Sequence, residues 1–293
     1  MRRVLLTGAS SGIGAELARE LAARGDRLAI AARRRERLEA LADEVGEPRP
    51  VVFEVDLAAR GAAARLGEEA VAALGGVDVL INNAGGGVGG RIATVGDRDE
   101  AREAFEVNYW SPLALIAAVV PAMIERGSGV VVNVTSGAQV TTWPGFGAYA
   151  ATKGALGVAT ETLRLELIGT GVHVLEAIPG PVDTAVQGET RLAPGIDRML
   201  DRVPLGDAGE CARAILRAVD RRRARVIYPR RTAVAMHAPM LARWDTRRTA
   251  AKVAKELDPE ARAALEGLVV RTGSRGDELA VAARDHWERS RGR

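Results

Sequence analysis

This sequence has little of several residue types, and each shortage excludes a class of protein. Its 293 residues include one cysteine, Cys211, so no intrachain disulfide can form, and a reducing, cytoplasmic compartment is expected. The three histidines, His173, His237 and His286, lack the spacing of metal ligands, so no metal site is predicted. Cys211 itself lies in a helical apolar pattern, which is typical of a core position.

Long hydrophobic runs are also missing. The first residues carry two arginines but an apolar run of only three residues, too short for the hydrophobic region of a signal peptide. The longest apolar stretch, Leu113 to Ile124, is interrupted by Pro121 and is shorter than a bilayer span. We therefore expect neither secretion nor insertion into a membrane.

The net charge of +3 hides an uneven distribution. Residues 1–220 carry 23 basic and 29 acidic side chains, whereas residues 221–293 carry 18 and 9, a net charge of +9. The basic character therefore comes from the end of the chain. Because it is confined to that end, it does not indicate a nucleic-acid surface on the whole protein.

The first motif is a glycine-rich turn between a strand and a helix. Residues 3–7, RVLLT, form a short apolar strand that continues into GASSGIG and a helical pattern. Gly8, Gly12 and Gly14 are spaced as G-x3-G-x-G, and their missing side chains would let the backbone approach a phosphate at the helix N-terminus. A plain turn is the alternative interpretation of this segment alone.

The second predicted strand, residues 27–32, ends without an acidic residue, and arginines follow it. In Rossmann-like folds an acid at this point accepts the ribose hydroxyls of NAD. A guanidinium instead suits a 2′-phosphate, so Arg33 predicts a preference for NADP(H), with NAD(H) possible. We interpret Arg35 and Arg37 as the solvated start of the next helix.

Strands and helices then alternate strictly. The fourth strand delivers NNAG, residues 82–85, at its carboxyl end, where open α/β sheets bind ligands. Short connections predict an α/β, Rossmann-like, doubly wound parallel sheet of about seven strands, with helices on both faces and a C-terminal helical extension. The predicted strands are residues 3–7, 27–32, 51–55, 77–81, 129–136, 172–178 and 225–228, and the longer helices 15–23, 99–126, 147–170 and 207–219.

Tyr149 and Lys153 lie four residues apart, so a helix beginning near Gly147 places both side chains on one face at its start. A free tyrosine has a pKa of about 10, and lowering it to about 7 takes about 4 kcal/mol, which an ammonium at close range could supply. The pair predicts a tyrosine that exchanges protons near neutral pH. Because the same spacing also occurs on surface helices without function, it does not decide alone.

The motifs occur together in one order. They are TGASSGIG at 7–14, DL at 56–57, NNAG at 82–85, Asn108, Ser136, YAATK at 149–153 and PGPVDT at 179–184. With this set, and with Ser136 thirteen residues before Tyr149, residues 1–230 resemble the short-chain dehydrogenase/reductase family. The resemblance implies hydride transfer between a nicotinamide cofactor and a small, apolar carbonyl or alcohol, and a homodimer or homotetramer.

The resemblance also implies a role for each matching residue. Tyr149 would be the general acid/base, Lys153 would lower its pKa and hold the nicotinamide ribose, and Ser136 would hydrogen-bond the substrate oxygen. Asn108 would order a water in a proton relay, and Asn83 would tie neighbouring strands as well as face the cofactor. Besides Tyr149, Lys153 and Asn83, the implied cofactor contacts are Gly8, Ser10, Ser11, Gly12, Ile13, Gly14, Arg33, Asp56, Leu57, Ala84, Gly85, Pro179, Gly180, Val182 and Thr184.

Other functions stay open at this point. One is a catalytically silent regulatory or scaffold protein that binds the cofactor on the same fold. Another is an epimerase or dehydratase acting on a nucleotide sugar, which the glycine spacing and the modest substrate region disfavour. A hydrolase is disfavoured because Ser136 has no histidine partner in any motif.

Two segments lie beyond the motifs. Residues 185–203 have apolar positions on one helical face and predict a lid over the substrate, with a core-facing helix as the alternative. Residues 231–293 are predicted to be a basic helical extension of the catalytic domain 1–230, with helices at 239–256 and near 258–273 and 277–287. Packing on the enzyme or a sister subunit, contact with an anionic membrane, and disorder are the three hypotheses for it, and opposite charge favours the first.

Overall fold

The computed structural model describes residues 1–141, 144–182 and 205–256. Its centre is a seven-stranded sheet in the order β3-β2-β1-β4-β5-β6-β7, in which every neighbouring pair is parallel. This architecture confirms the predicted fold class. The strands are β1 (Arg3–Thr7), β2 (Arg27–Ala32), β3 (Val51–Glu54), β4 (Val79–Asn82), β5 (Gly129–Val134), β6 (Val172–Pro179) and β7 (Arg225–Tyr228).

Helices cover both faces of this sheet. They are α1 (Gly12–Ala23), α2 (Arg35–Val45), α3 (Ala62–Leu74), α4 (Ile92–Val95), α5 (Asp99–Phe105), α6 (Ser111–Glu125), α7 (Gly147–Glu166), α8 (Ala208–Asp220), α9 (Thr232–His237) and α10 (Pro239–Glu256). Two apolar clusters fill the space between layers. One joins the sheet to α1, α2 and α8 through residues such as Leu17, Leu38 and Ile215, and the other joins it to α3 and α6 through residues such as Leu66 and Val119.

The strand order reverses between β1 and β4. The chain builds β1, β2 and β3 outward in one direction and then returns to place β4 on the other side of β1. In open α/β sheets, ligands bind in the crevice at the carboxyl ends of the strands, at the point where the strand order reverses. The motifs around Gly8 and Asn83 both lie at this point.

The long helical run from Asp99 to Glu125 contains a wider turn. Residues Glu106–Trp110 form a π-helical segment between α5 and α6, and it holds the fully buried Asn108. Length and apolar composition would allow this run to cross a membrane. Its buried side chains, however, pack in the core cluster beside α3, as those of a core helix do.

Several bounds differ from the predicted ones. Strand β4 begins two residues later and includes Asn82, and α7 ends at Glu166, where the chain turns through Gly169 at φ 83°. Strand β5 ends at Val134 because Ser136 starts a 3₁₀ turn, its Oγ accepting a hydrogen bond from the N–H of Ala138. Ser136 therefore lies on a turn beyond the strand.

The start of the extension is helical. Helix α10 begins at Pro239 as the proline predicted, while the short helix α9 before it was not foreseen. In α10 the side chain of Thr246 is buried, and Arg243 Nε donates to the Val140 carbonyl at 3.3 Å. One face of α10 therefore contacts the domain that contains the sheet. The predicted helices near 258–273 and 277–287 and the predicted lid at 185–203 lie outside the described residues.

Candidate active site

The glycine turn after β1 is formed by residues that have no room for a side chain. Gly8 has φ 70°, and a Cβ there would lie 2.7 Å from Ala84 Cα. A Cβ on Gly14 would overlap the Gly8 carbonyl oxygen, and Gly12 starts α1 at φ 56°. The close packing brings the backbone of the turn to the N-terminus of α1, where N–H groups suit an anion.

Asn83 links the two central strands next to this turn. Its Nδ2 donates to the carbonyls of Thr7 and Gly8 at 3.0 and 3.3 Å. The Thr7 hydroxyl oxygen accepts the N–H groups of Asn83 and Ala84 at 3.1 and 3.0 Å. These bonds fix the two loops at the crevice relative to each other. Further along the same loop, Gly85 lies next to the side chains of Lys153 and Asn108.

The arginines after β2 are placed differently from one another. Arg33 is exposed, and Arg35 begins α2 and pairs with Glu39 at 3.0 Å, consistent with its interpretation as a solvated helix start. Arg34, which was not among the predicted cofactor contacts, turns toward the glycine turn. Its Nη2 donates to the hydroxyls of Ser10 and Ser11 at 3.3 and 3.0 Å.

Asp56 and Leu57 follow β3 on the same edge of the sheet. The exposed Asp56 carboxylate accepts the N–H of Ala58 at 3.0 Å and so stabilises its own turn. Leu57 is buried, and its carbonyl accepts the Ser111 hydroxyl at 2.7 Å. The bond to Ser111 joins this turn to the start of α6.

Tyr149 and Lys153 lie in the first two turns of α7, with Tyr149 next to Ser136. A hydrogen bond connects Ser136 to the Tyr149 phenol. Lys153 is buried, and its Nζ donates to the Val134 carbonyl at 3.0 Å. Burial lowers the pKa of the Lys153 ammonium to about 8. Strand β5, the Ser136 turn and α7 therefore meet at one place.

The pKa of Tyr149 differs from the expected one. We expected the Lys153 ammonium to lower it, but burial raises the pKa of the phenol above its ordinary value, and the hydrogen bond from Ser136 opposes that rise. The charge of Lys153 is not among the causes of the shift. The reason is that the partly buried phenol has lost water while the ammonium is directed to the Val134 carbonyl.

Asn108 is held by protein groups on both ends of its amide. Its Oδ1 accepts the Gly86 N–H at 2.9 Å, and its Nδ2 donates to the Gly86 carbonyl at 2.7 Å and to the Thr152 hydroxyl at 3.0 Å. Thr152 in turn donates to the Tyr149 carbonyl at 2.7 Å. A Cβ on Gly85 would lie 3.3 Å from both Asn108 Oδ1 and Lys153 Nζ, so one glycine brings the two side chains near each other.

The segment that follows β6, described as far as Val182, also lies at the carboxyl edge of the sheet. The Gly180 N–H donates to the Tyr228 carbonyl at 2.6 Å, and Val182 is buried and forms a parallel bridge with Gly206. A Cβ on Gly180 would overlap the Thr232 hydroxyl at the start of α9. Thr184, the remaining predicted cofactor contact, lies outside the described residues.

Two residues of this site were not predicted from the sequence. Arg34 had a signal, since it stands in the arginine run after β2, but the sequence does not say which guanidinium turns inward. Thr152 had none, because it is an unremarkable position between Tyr149 and Lys153. Its hydroxyl bridges Asn108 to the α7 backbone only once the π-helical segment brings Asn108 there.

Comparison with known proteins agrees with this geometry. A family model described as short chain dehydrogenase matches residues 2–194. The chain is 33% identical over 238 residues to 11-beta-hydroxysteroid dehydrogenase 1A of Arabidopsis thaliana, which spans 77% of this chain and 68% of that protein.

Solved structures give the same result. A short-chain dehydrogenase from Sphingobium yanoikuyae in complex with NADPH superposes with a TM-score of 0.71 at 29% identity, over 88% of this chain and 97% of that one. A short chain dehydrogenase/reductase from Burkholderia phymatum in complex with NAD has a TM-score of 0.70 at 26% identity, over 82% and 94%. The chain therefore belongs to the short-chain dehydrogenase/reductase family of oxidoreductases.

Proposed function

We propose that this protein is an NADP(H)-dependent oxidoreductase that interconverts a carbonyl and an alcohol by hydride transfer. The observation that carries the proposal is the cluster of Ser136, Tyr149 and the buried Lys153, which the turn after β5 and the start of α7 bring together. It lies at the carboxyl edge of the sheet, with the Lys153 ammonium one helical turn further along α7. Two hydroxyl groups held together in this way can both donate to one substrate oxygen.

The residues at this edge fit a nicotinamide dinucleotide. The glycine turn leaves the N-terminus of α1 open to a phosphate, because Cβ atoms at Gly8 and Gly14 would collide with backbone. Lys153 and Tyr149 offer donors to a ribose, and Asp56 and Leu57 follow β3 where an adenine would lie. When bound, the nicotinamide supplies or accepts the hydride.

The residues of this chain provide the proton and stabilise the charge. In reduction, Tyr149 gives its phenolic proton to the carbonyl oxygen while the Ser136 hydroxyl donates a hydrogen bond to the same oxygen. The raised pKa of Tyr149 keeps the phenol protonated at neutral pH, as an acid requires. In alcohol oxidation the phenolate is the base, so the rate should rise with pH toward the pKa of Tyr149.

The preference for NADP(H) rests on the two arginines after β2. Arg33 is exposed there, and Arg34 turns toward Ser10 and Ser11 at the glycine turn. A guanidinium held beside two hydroxyls, with a second exposed arginine next to it in the chain, suits a 2′-phosphate, whereas the ribose hydroxyls of NAD favour an acid. One relative binds NADPH and another binds NAD, so the arginines carry this part of the proposal.

A turnover assay with both cofactors tests the function. The full chain would be incubated with NADPH or NADH and a panel of apolar ketones and aldehydes, and with NADP⁺ or NAD⁺ and the matching alcohols, while nicotinamide absorbance is followed. Tyr149→Phe serves as the background control. Turnover above that background supports an enzyme. NADPH binding without turnover on any substrate would instead favour the catalytically silent regulatory or scaffold protein.

We also propose a homo-oligomer, a dimer or tetramer, in the cytoplasm. The outer surface of α7 and the loop after it exposes Val158, Leu165 and Ile168, three large apolar side chains that a second copy could cover. Mass in solution by light scattering checks this. A monomer at micromolar concentration would argue against it.

A further inference from the structure

Strand β6 carries a buried carboxylate that the mechanism above does not use. Glu176 is 2% exposed and lies in register with Asn133 of β5 and Arg225 of β7. Its Oε2 accepts Arg225 Nε at 2.8 Å, and its Oε1 accepts two further hydrogen bonds. A buried charge must be paired and hydrogen-bonded to be tolerated, and here both oxygens are occupied.

The two donors to Oε1 lie on either side of Ser136. Thr135 Oγ1 donates at 3.1 Å and Gln139 Nε2 at 3.0 Å. Between them, the Gln139 N–H donates to the Ser136 carbonyl at 3.1 Å, which closes the 3₁₀ turn. A single oxygen of Glu176 thus holds both ends of the turn that carries Ser136.

The same oxygen is packed against the helix that carries Tyr149. A Cβ on Gly157 would lie 3.3 Å from Glu176 Oε1 and would overlap Gln139 Oε1. Tyr149, Lys153 and Gly157 are four residues apart in succession, so Gly157 follows the other two along one side of α7. The missing side chain at Gly157 lets the Ser136 turn lie directly on this helix.

The outer side of the turn is covered by the start of the C-terminal extension. A Cβ on Gly137, the residue after Ser136, would lie 2.8 Å from Thr232 Cγ2 at the start of α9. The turn is therefore confined between Thr232 on one side and the Glu176 carboxylate with α7 on the other.

We propose that Glu176 is a positioning residue: by holding Thr135 and Gln139 against α7, it sets the Ser136 hydroxyl relative to Tyr149. This inference rests on the proposed function, because it assigns Glu176 to the same proton-transfer site. A hydroxyl that stabilises a transition state must be held within about 0.5 Å of its working position. Ser136 lies on a turn beyond β5, so the strand ladder alone does not supply that precision, and the carboxylate does.

The main test compares Glu176→Ala with Glu161→Gln. Glu161 is a matched control because its exposed carboxylate lies 3.6 Å from Nη2 of the same Arg225 guanidinium. We expect Glu176→Ala to lower kcat about tenfold to a hundredfold, the scale of a misplacement of about 1 Å, with little change in KM for NADPH. Glu161→Gln should retain parental kcat. Equal kcat in all three proteins would overturn the inference.

A pH profile separates positioning from a general loss of stability. The hydrogen bond from Ser136 lowers the pKa of Tyr149, so displacing Ser136 should move the acidic limb of kcat/KM for alcohol oxidation to higher pH. The charged groups nearest the phenol include Lys153, which stays in place in both variants. A reduced rate with an unmoved limb would mean that Glu176 affects only the amount of folded enzyme, and would refute positioning.

Gln139→Ala provides a second variant in case Glu176→Ala does not fold. It removes one of the two donors and leaves the carboxylate paired with Arg225, so we expect a smaller fall in kcat and the same direction of the pH shift. Parental kcat and an unmoved limb in this folded variant would contradict the inference.

Hydrogen exchange makes the test independent of catalysis. In the full chain, amides of residues 137–140 should exchange faster in Glu176→Ala than in the parent, and at the parental rate in Glu161→Gln. If the parent has no turnover but the exchange rates differ in this way, the proposed function fails, while the inference that Glu176 holds the Ser136 turn stands. Unchanged exchange in Glu176→Ala would refute the inference that Glu176 holds the Ser136 turn, whatever the activity.

Discussion

The two edges of this one sheet are made of different chemical groups. At the amino edge, charged side chains pair with one another across neighbouring strands. Arg3 Nη2 lies 2.6 Å from Asp78, Arg2 Nη2 lies 2.7 Å from the buried Asp26, and Arg2 also pairs with Asp220 at 3.3 Å. At the carboxyl edge the strands end mainly in glycines, hydroxyls and amides, and the Lys153 ammonium and the Glu176 carboxylate are buried charges beside them.

This difference separates stability from chemistry along the same strands. The charged side chains at the amino edge pair with each other, so their interaction contributes to the free energy of unfolding. At the carboxyl edge, glycines leave backbone exposed to a ligand, and Ser136, Tyr149 and Lys153 hold protons that a reaction could use. We therefore expect side-chain deletions at the carboxyl edge to change activity more than stability, and the reverse at the amino edge.

The sharpest test at the carboxyl edge is Tyr149→Phe. Removing one oxygen keeps the ring but takes away the proton donor, so kcat should fall about 10²- to 10⁴-fold, the usual contribution of general acid–base catalysis. Fluorescence titration should give nearly the parental Kd for NADPH, and Tm should stay within about a degree or two. Turnover within tenfold of the parent would remove Tyr149 from the mechanism.

Gly14→Ala should lower both stability and cofactor binding, although Gly14 lies at the carboxyl edge. The reason is that it adds a methyl group where two backbone segments are in contact. The new Cβ would overlap the Gly8 carbonyl oxygen, so the glycine turn must shift, at about 3 kcal/mol of unfolding free energy, the upper end for overpacking. We expect a lower urea midpoint and weaker NADPH binding together. Gly154→Ala is the control, since nothing lies within 4 Å of a Cβ there. Parental stability and binding in Gly14→Ala would show that the turn can adapt.

Arg33→Ala and Arg34→Ala should change cofactor choice at little cost in stability. Each removes a charge-assisted contact worth about 1.5 kcal/mol, so kcat/KM for NADPH should fall about tenfold while the value for NADH stays the same. Arg37→Ala, on the exposed side of α2, is the matched control. Equal efficiency with both cofactors in the parent would contradict the assignment of both arginines.

Sequence predicted the parts of this molecule that depend on local constraints. The turn at Gly8, Gly12 and Gly14 needs absent side chains wherever it occurs, and the spacing of Tyr149 and Lys153 fixes their common helix face. Alternating apolar segments with short connections are enough to specify a parallel sheet. The seven strands were therefore predicted with bounds that are the same or differ by at most two residues.

What the sequence could not give depends on contacts between distant segments. Burial raises the pKa of the Tyr149 phenol despite the hydrogen bond from Ser136, and spacing along a helix carries no information about lost water. The direction of the Arg34 side chain depends on where Ser10 and Ser11 lie. Glu176 did have a signal, a charge in the middle of an apolar strand, but its donors come from residues about forty positions away.

At the amino edge, Asp78→Asn should give the smallest effect and leave activity untouched. Asp78 accepts the Arg3 N–H at 2.9 Å and its guanidinium Nε at 3.0 Å, with Arg126 at 3.7 Å. Because the pair is about one-third exposed, we expect Asp78→Asn to lose only about 0.5–1 kcal/mol of unfolding free energy at pH 7. Asp99→Asn, at a carboxylate that is 91% exposed, should lose nothing measurable.

The pH dependence of that loss identifies its cause. The hydrogen bonds from Arg3 lower the pKa of the Asp78 carboxyl below its ordinary value, so the unfolded chain binds this proton more readily than the folded one. The contribution is therefore fully present above the unfolded pKa of about 3.9 and is lost as pH falls through the lower folded value. Urea unfolding should show a constant difference between parent and Asp78→Asn from pH 7 to about pH 5, which shrinks in more acidic solution. A difference that persists unchanged at pH 2 would mean that the asparagine disturbs packing, and a fall in kcat would mean that the two edges are not separate.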